Sequence, residues 1–375
     1  MAIDLGYARD SNDLVSAAVL VYAVAMLVYA GDAAFGRRRR SAVTVTAAAV
    51  PAMSRPTMSR PAMSIPDTVP DSLVAEVRAS ALAGGVPASS PGLSARPAWL
   101  DGPPTPPAEV PADEQPPGPA ARLAIALTAL GWLAHLGAIA TRGLAAHRVP
   151  WGNMYEFSSA VTFAAVTVYL VLLVRSRGRV RFLGAFVMLP VVLTLGLGAT
   201  VLYSAAEPLQ PALQDYWIKI HVVAAIVAWG TFLVSATASA CYLLRVRYEE
   251  RLVLAGGEVA AVKGGGLARK MPDSARLDSL AYRVTAFAFP IWTFAIVAGA
   301  IWAERAWGRY WGWDPKETWS FITWVIYAGY LHARATAGWG GRKAAWIALA
   351  GFGALTIDYY IVNIFIVGLH SYAGL

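Results

Sequence analysis

Histidine is the residue type through which this chain could bind a transition metal, because the chain has almost no thiol ligands. The sequence of 375 residues contains five histidines and a single cysteine, Cys241. One cysteine excludes an intrachain disulfide, a CxxC redox motif and a cysteine-ligated zinc or iron–sulfur site. Any metal chemistry performed by this chain must therefore use imidazole nitrogens.

The segment 307–319, WGRYWGWDPKETW, is the most unusual stretch of the chain, with four tryptophans in thirteen residues. An aromatic belt at a membrane interface is one interpretation, but a belt explains only one or two aromatic residues at a helix end. The alternative is a flat aromatic platform whose glycines allow close backbone approach and whose basic neighbours pair with anionic groups. A porphyrin with two propionates fits that platform. Its candidate residues are Trp307, Trp311, Trp313, Asp314, Lys316 and Glu317.

Three histidines lie at or near the ends of apolar stretches. If His221 and His370 lie on the membrane face that carries the tryptophan segment, they could supply two axial ligands to one haem iron; two unrelated interfacial histidines are the alternative. His332 lies fourteen residues after position 318, or roughly 21 Å along a helix, near the opposite face. It is either a functional intramembrane residue or a side chain that reaches the interface. His135 is expected to pack between helices.

The elements that must position these residues are transmembrane helices. The chain is 57% hydrophobic and 14% charged, with a mean hydropathy of +0.50, which is typical of a membrane protein. Eight apolar stretches have about the length needed to cross a hydrocarbon layer of ~30 Å. They are 14–30, 123–141, 157–174, 182–206, 220–244, 284–303, 318–333 and 344–369. We therefore predict an all-α polytopic membrane protein of about eight transmembrane helices.

Basic residues indicate the orientation. Four consecutive arginines, 37–40, follow the first stretch, which we interpret as an anchor with its N-terminus outside. With alternating spans, the predicted cytoplasmic segments contain 24 of the 31 Lys and Arg residues, and the outside segments contain 7. The formal charge of +8 therefore reflects membrane topology, and no nucleic-acid partner is expected. Both termini are predicted to be extracytoplasmic, and 307–319 becomes an external loop between helices six and seven.

Composition divides the chain into three parts. Residues 1–36 form the predicted N-terminal transmembrane anchor. Residues 37–120 are rich in proline and alanine and are predicted to be a disordered cytoplasmic linker, because such a segment buries too little apolar surface to offset its ordering entropy. Residues 121–375 form the predicted seven-helix domain that carries the tryptophan segment.

Residues 307–317, WGRYWGWDPKE, resemble the tryptophan-rich WWD motif, WGxxWxWDxKE, of the CcsA/ResC family of cytochrome c biogenesis proteins, some of which are called CcsB, and of their relatives CcmC and CcmF. Every defined position of the motif is matched. The resemblance extends from about residue 121 to the C-terminus and includes 150–157, PWGNMYEF. The first span and the linker are less typical of the family.

This resemblance implies a subunit of the system II cytochrome c synthase complex in the plasma membrane. Such a subunit binds haem b as a substrate, presents it on the extracytoplasmic side and promotes thioether attachment to CxxCH motifs of apocytochromes c. It implies His221 and His370 as axial ligands of external haem, and His332 as a ligand of haem received from the cytoplasm. The implied partners are a ResB-like membrane subunit, apocytochrome c, thioredoxin-like thiol reductants and membrane lipid. Synthase activity is expected only in the complex.

Two other classes of function were considered. A membrane cytochrome b for electron transfer would carry facing histidine pairs at matched depths, whereas His135 and His332 are predicted at different depths. A small-solute transporter would show midplane polar residues or inverted repeats with broken helices. Asp358 is a lone acid in the last stretch, and it could belong either to a haem path or to helix packing.

Overall fold

The computed structural model describes residues 3–35, 116–209, 211–257 and 266–370, and the regular elements in these ranges are helical. The predicted linker 37–120 lies outside the described residues as far as residue 115. In chain order the elements are α1 (Leu5–Phe35), α2 (Pro119–Ala146), α3 (Met154–Arg175), a 3-10 turn (Arg179–Leu183), α4 (Gly184–Thr200), a 3-10 turn (Pro211–Gln214), α5 (Tyr216–Leu254), α6 (Gly266–Lys270), α7 (Ser274–Trp307), α8 (Pro315–Thr336), α9 (Gly341–Thr356), a π-helical turn (Ile357–Val362) and α10 (Asn363–Phe365).

Seven helical segments of the described chain are long and apolar enough to cross a membrane, which confirms a polytopic all-helical protein. They are Leu5–Phe35, Pro119–Ala146, Met154–Arg175, Arg179–Thr200, Tyr216–Leu254, Ser274–Trp307 and Gly341–Phe365. Each contains or overlaps one of the predicted stretches, in the predicted order. The remaining stretch, 318–333, lies within α8, which has 22 residues but is less apolar. The count of eight spans therefore stays a prediction, as does the orientation of the termini.

Helix α8 lies beside α7 over most of its length. Near one end of α8, the indole N–H of Trp292 donates to the Ser320 carbonyl at 3.3 Å. Near the other end, the Arg334 guanidinium makes two hydrogen bonds of 2.7 Å to the Asp278 carboxylate. A helix of this length extends roughly 33 Å, which is comparable with the ~30 Å hydrocarbon core. We call the end of the bundle that carries 307–319 the tryptophan end, and the end that carries Arg334 the arginine end.

Helix α5 is the centre of the bundle and packs against α7, α3 and α9. Its membrane-spanning part is mostly buried within the bundle, and charged residues are concentrated in its last turns. Its Phe232 stacks on Tyr327 of α8, with ring centroids 3.9 Å apart and an interplanar angle of 9°. Its Gly230 faces α3 so closely that a Cβ there would lie 2.7 Å from the backbone nitrogen of Ala165. Small residues at such crossings let membrane helices approach each other.

Two predicted spans end differently in the structure. The span predicted at 182–206 stops at Thr200. Beyond the helix, the carbonyls of Ser204 and Glu207 accept hydrogen bonds from two arginines, at 2.5 Å from Arg142 and 2.7 Å from Arg148. The span predicted at 344–369 widens into the π-helical turn and ends at α10, and residues 366–370 then continue without regular structure.

Candidate functional site

A cavity opens at the tryptophan end between α3, α5, α7, α8 and the helical segment that follows α9. It encloses about 1280 Å³ of space between atoms, including its open mouth. The structure brings five of the predicted site residues to its wall, namely His221, His370, Trp311, Lys316 and Glu317. Most of the remaining wall is apolar or aromatic, as is usual for a site that binds a small organic molecule. This part includes Trp151, Met154, Phe157, Trp229, Trp292 and Trp302.

His221 enters the cavity from the first turns of α5, and α7 determines the orientation of its ring. Its Nδ1 lies 2.7 Å from the carbonyl oxygen of Ala295. A carbonyl can only accept, so Nδ1 carries the proton and Nε2 keeps its lone pair. The ring lies on Gly299, where a Cβ would be 2.7 Å from Nδ1. His221 is therefore oriented for coordination through Nε2.

His370 lies at the other side of the cavity, and the tryptophan segment holds its ring. Its Nδ1 lies 2.8 Å from Oδ2 of Asp314. Trp307 and Trp302 contact the ring edge-on, with centroid distances of 4.8 and 5.8 Å. Burial lowers the pKa of His370 below its ordinary value, and the neighbouring Asp314 carboxylate opposes that shift. A neutral imidazole that donates from Nδ1 to a carboxylate leaves Nε2 free, as in the histidine ligands of metal sites.

The Asp314 carboxylate joins the tryptophan segment to the C-terminal end of the described chain. Its Oδ1 accepts the N–H of Leu369 at 2.8 Å, and its Oδ2 accepts the imidazole N–H. Burial alone would raise the pKa of Asp314, but the Leu369 N–H and His370 stabilise the charged form, so the pKa is lower than usual. Asp314 is also the N-cap of α8. The residue thus acts in both helix capping and histidine orientation.

Glu317 fixes the loop that precedes α8. Its Oε2 accepts the backbone N–H groups of Gly312 at 2.7 Å and Asp314 at 3.0 Å. The second of these completes a capping box with Asp314. Arg309 lies 3.6 Å from the other carboxylate oxygen. A glutamate in the first turn of α8 therefore determines the path of the segment that carries the tryptophans.

The three predicted tryptophans occupy different positions. Trp311 lines the cavity, whereas Trp307 packs behind His370. Trp313 is 65% exposed and has a φ of 58°, a left-handed backbone conformation that is costly for a large side chain. Its ring contacts Trp311 and Phe321 at centroid distances of 5.8 and 6.1 Å. The aromatic surface is therefore a set of edge-to-face contacts, and only Trp311 among the three lies at the cavity wall.

Lys316 extends from the start of α8 into the cavity. Its Nζ donates to Oδ1 of Asn363 at 2.8 Å and lies 5.9 Å from the ring centroid of Tyr359. Asp358, the lone acid of the last span, also lines this cavity. The cavity wall therefore includes the ammonium group of Lys316 and the carboxyl group of Asp358.

His332 is separate from this site. It lies towards the arginine end of α8, where its side chain is exposed on the outer surface of the bundle. By contrast, His135 is buried within the bundle, with Nε2 at 2.9 Å from the Ser159 hydroxyl and edge contacts to Tyr22 and Phe163. The structure thus brings His221 and His370 into one site and leaves His332 apart from it, exposed towards the other end of the bundle.

A buried charge cluster supports the cavity wall formed by residues 151–154, and sequence reasoning did not find it. The Glu156 carboxylate accepts from Arg142 at 2.9 Å and from Arg148 at 2.7 Å, and its side chain is fully buried. It also accepts the N–H of Gly152 at 2.8 Å. The sequence contains two arginines shortly before the PWGNMYEF segment and a glutamate within it. It does not show that they pair, because the pairing depends on how α2 packs against α3.

Comparisons with known proteins show which family this chain resembles. Residues 151–370 match the family model described as cytochrome C assembly protein. The protein named cytochrome c biogenesis protein CcsA of Gloeobacter violaceus is 32% identical over 291 residues, covering 66% of this chain and 85% of the relative. The proteins of the same name from Synechococcus elongatus and Mesostigma viride are 34% identical over 286 residues and 32% identical over 249 residues. These two alignments cover 66% and 62% of this chain, and 85% and 80% of the relatives. The family model spans the cavity from Trp151 to His370.

Proposed function

The chain belongs to the cytochrome C assembly protein family, and from that premise we propose that it binds haem b as a substrate and promotes its attachment to apocytochromes c. One observation carries this proposal. His221 and His370 line the same cavity, and each has its Nδ1 proton engaged by an oxygen acceptor. Two imidazoles with free Nε2 atoms can supply both axial ligands of a six-coordinate haem iron.

The two histidines are held by different means, which suits a site that must exchange one ligand. His221 is anchored to α7, a long transmembrane helix, through a backbone carbonyl. His370 lies in irregular chain after α10 and is held through the Asp314 side chain. Of the two, we propose His370 as the ligand that gives way to the histidine of an incoming CxxCH motif, because it is supported by side chains and lies in irregular backbone.

Thioether formation requires the two thiols of the apocytochrome to add to the vinyl groups of the substrate haem. The chain's own residues then have three tasks, which are to hold the iron, orient the macrocycle and keep the vinyl edge accessible. Trp311 packs on the macrocycle at the cavity wall, and Trp307 supports the His370 ring. Trp313 lies at the exposed rim, where we propose that it contacts the macrocycle edge or the arriving peptide. Cys241 is buried in α5 and takes no part.

His332 provides a second, separate site in this proposal. The exposed imidazole has no second histidine beside it among the described residues, because His135 is buried elsewhere and the other three histidines lie at the tryptophan end. We propose that a ResB-like membrane subunit covers this face of α8 and supplies the second ligand for haem that arrives from the cytoplasm. In this orientation the arginine end faces the cytoplasm and the tryptophan end faces outwards, in agreement with the distribution of basic residues.

The complete reaction needs partners. Apocytochrome c supplies the thiols, thioredoxin-like proteins keep them reduced, and the complex with the ResB-like subunit forms the system II synthase in the plasma membrane. This chain contributes the haem site of that complex.

The test is the visible spectrum of the purified complex. We expect that His221→Ala and His370→Ala each lose the bis-histidine signal of haem at the tryptophan end and regain it when imidazole is added, whereas haem bound at His332 keeps its own signal. His147→Asn is the matched control, because His147 lies at the same end of the bundle in a left-handed conformation that asparagine tolerates. A spectrum unchanged by both alanine substitutions, or a wild-type complex without haem, would contradict the proposal.

A further inference from the structure

The deeper part of the cavity holds a group of polar side chains that ligation of the iron does not use. They surround Tyr359, whose hydroxyl is already bonded to Ser158 at 2.7 Å and to the Met154 carbonyl at 2.8 Å. The Trp229 ring lies 6.2 Å from the Tyr359 ring, and the Lys316 ammonium lies 5.9 Å from the centroid of the same ring. Asp358 is adjacent in sequence and completes the group.

Asp358 is a buried acid with an unused oxygen. It is 6% exposed, and its Oδ1 has no hydrogen-bond partner among the residues that the structure describes. It lies in the π-helical turn, a distortion that often marks a functional position in a helix. A buried polar atom without a partner costs free energy, so this oxygen indicates a ligand that the protein alone does not provide.

Trp229 offers a donor at the same place. Its side chain is 4% exposed, yet its indole N–H finds no acceptor within the described part of the chain. The ring is fixed by edge contacts to Phe352 at 5.2 Å and to Tyr359. Trp229 and Asp358 both line the cavity, and each has one buried polar atom, an indole donor and a carboxyl oxygen, without a partner among the described residues.

Lys316 supplies the positive charge. An ammonium has three N–H donors, and the described contacts use one of them, on Asn363. Lys316 and Asp358 line the same cavity, and within the described part of the chain they do not form an ion pair with each other.

We infer that Lys316, Trp229 and Asp358 form a binding site for a carboxyl group of the porphyrin substrate, an inference that rests on the proposed function. A carboxylate accepts hydrogen bonds from the ammonium and the indole N–H. Asp358 is the third partner, because its carboxyl group and that of the porphyrin share one proton. Binding therefore takes up one proton from solvent. The site orients the macrocycle by one edge while the two histidines hold the iron.

The experiment compares metal-free protoporphyrin IX with its dimethyl ester, bound to the purified full-length protein in its complex and followed by porphyrin fluorescence. Wild-type protein should bind the free acid at least about 10-fold more tightly than the ester, because charge-assisted hydrogen bonds are lost on esterification. Lys316→Met and Trp229→Phe should each reduce that preference. Lys219→Met is the matched control, because Lys219 is exposed on α5 close to His221 and should keep the full preference.

The wild-type comparison needs no folded variant, so the inference stays testable if a substitution prevents folding. Equal affinity for the acid and the ester would overturn the carboxyl site. If that result accompanied a bis-histidine spectrum with iron haem, the proposed function would stand without the carboxyl site. The protein could also prefer the free acid while neither histidine substitution changes its haem spectrum. That result would support the carboxyl site and contradict the proposed ligation.

Discussion

Gly299 offers a direct test of how α7 orients His221. A Cβ at this position would lie 2.7 Å from Nδ1 and 2.9 Å from Cε1 of the imidazole, whereas ordinary contacts begin at 3.4 Å. In Gly299→Ala the ring must therefore move by about 0.7 Å (3.4 − 2.7). A displacement directed away from Ala295 would lengthen the Nδ1–O distance from 2.7 Å to about 3.4 Å, beyond the usual range for such a bond.

The expected effect is a loss of haem affinity with an intact fold. Disturbing the group that orients a histidine ligand typically lowers metal affinity by roughly 10- to 100-fold, or about 1.4 to 2.8 kcal/mol. Alanine is favoured over glycine within a helix by about 1 kcal/mol, so the substitution should not weaken α7 itself. The assay is titration of haem into the apo complex, with the bis-histidine absorption as the readout and added imidazole as a rescue.

Gly353→Ala is the matched control, because a Cβ at that helical glycine would meet nothing within 4 Å. It should leave haem affinity unchanged. If Gly299→Ala bound haem as tightly as wild type, the His221 ring would not be held against α7 in the functional state, and the basis for its free Nε2 would fail.

Two further predictions concern stability. Trp313→Gly should be more stable than Trp313→Ala by about 1 kcal/mol, because glycine relieves the positive φ; equal thermal midpoints would show that the loop relaxes without strain. Glu156→Gln should destabilise the protein by about 3 kcal/mol, because it leaves Arg142 and Arg148 without a buried counter-charge. Glu250→Gln removes an exposed ion pair and should cost less than about 1 kcal/mol; a similar midpoint for these two glutamine variants would contradict this reasoning.

The helical organisation was largely predictable from the sequence, because the length of an apolar run follows from the thickness of the hydrocarbon layer. Seven predicted stretches correspond to helices that meet the length and hydropathy of a span. The end of α4 was not predictable, because several residues beyond Thr200 are still apolar, and the chain there contacts arginines of another segment. The hydropathy of α8 alone does not establish a span, although its pairing with α7 follows the full length of a crossing helix.

Five of the predicted site residues line the cavity in the structure, and their roles stay a prediction. Hydropathy placed His221 and His370 at helix ends, and alternation of spans predicted the same end of the bundle. Whether Trp307 would contact haem or a histidine could not be read from spacing, because both positions lie in one short segment. The sequence likewise could not predict that polar atoms of Trp229 and Asp358 lack hydrogen-bond partners, because this depends on the positions of all neighbouring residues.

The sequence by itself determined the class of protein, the order of its membrane helices, the family resemblance and the residues able to ligate iron, because composition, run length and motif spacing are local properties. Only the tertiary structure decided which nitrogen of each histidine is free, which tryptophan lines the cavity and which buried polar atoms have no partner. Those properties depend on contacts between residues far apart in the chain, such as His221 with Ala295 and Asp314 with His370. Helix packing determines such contacts, and no local pattern encodes them.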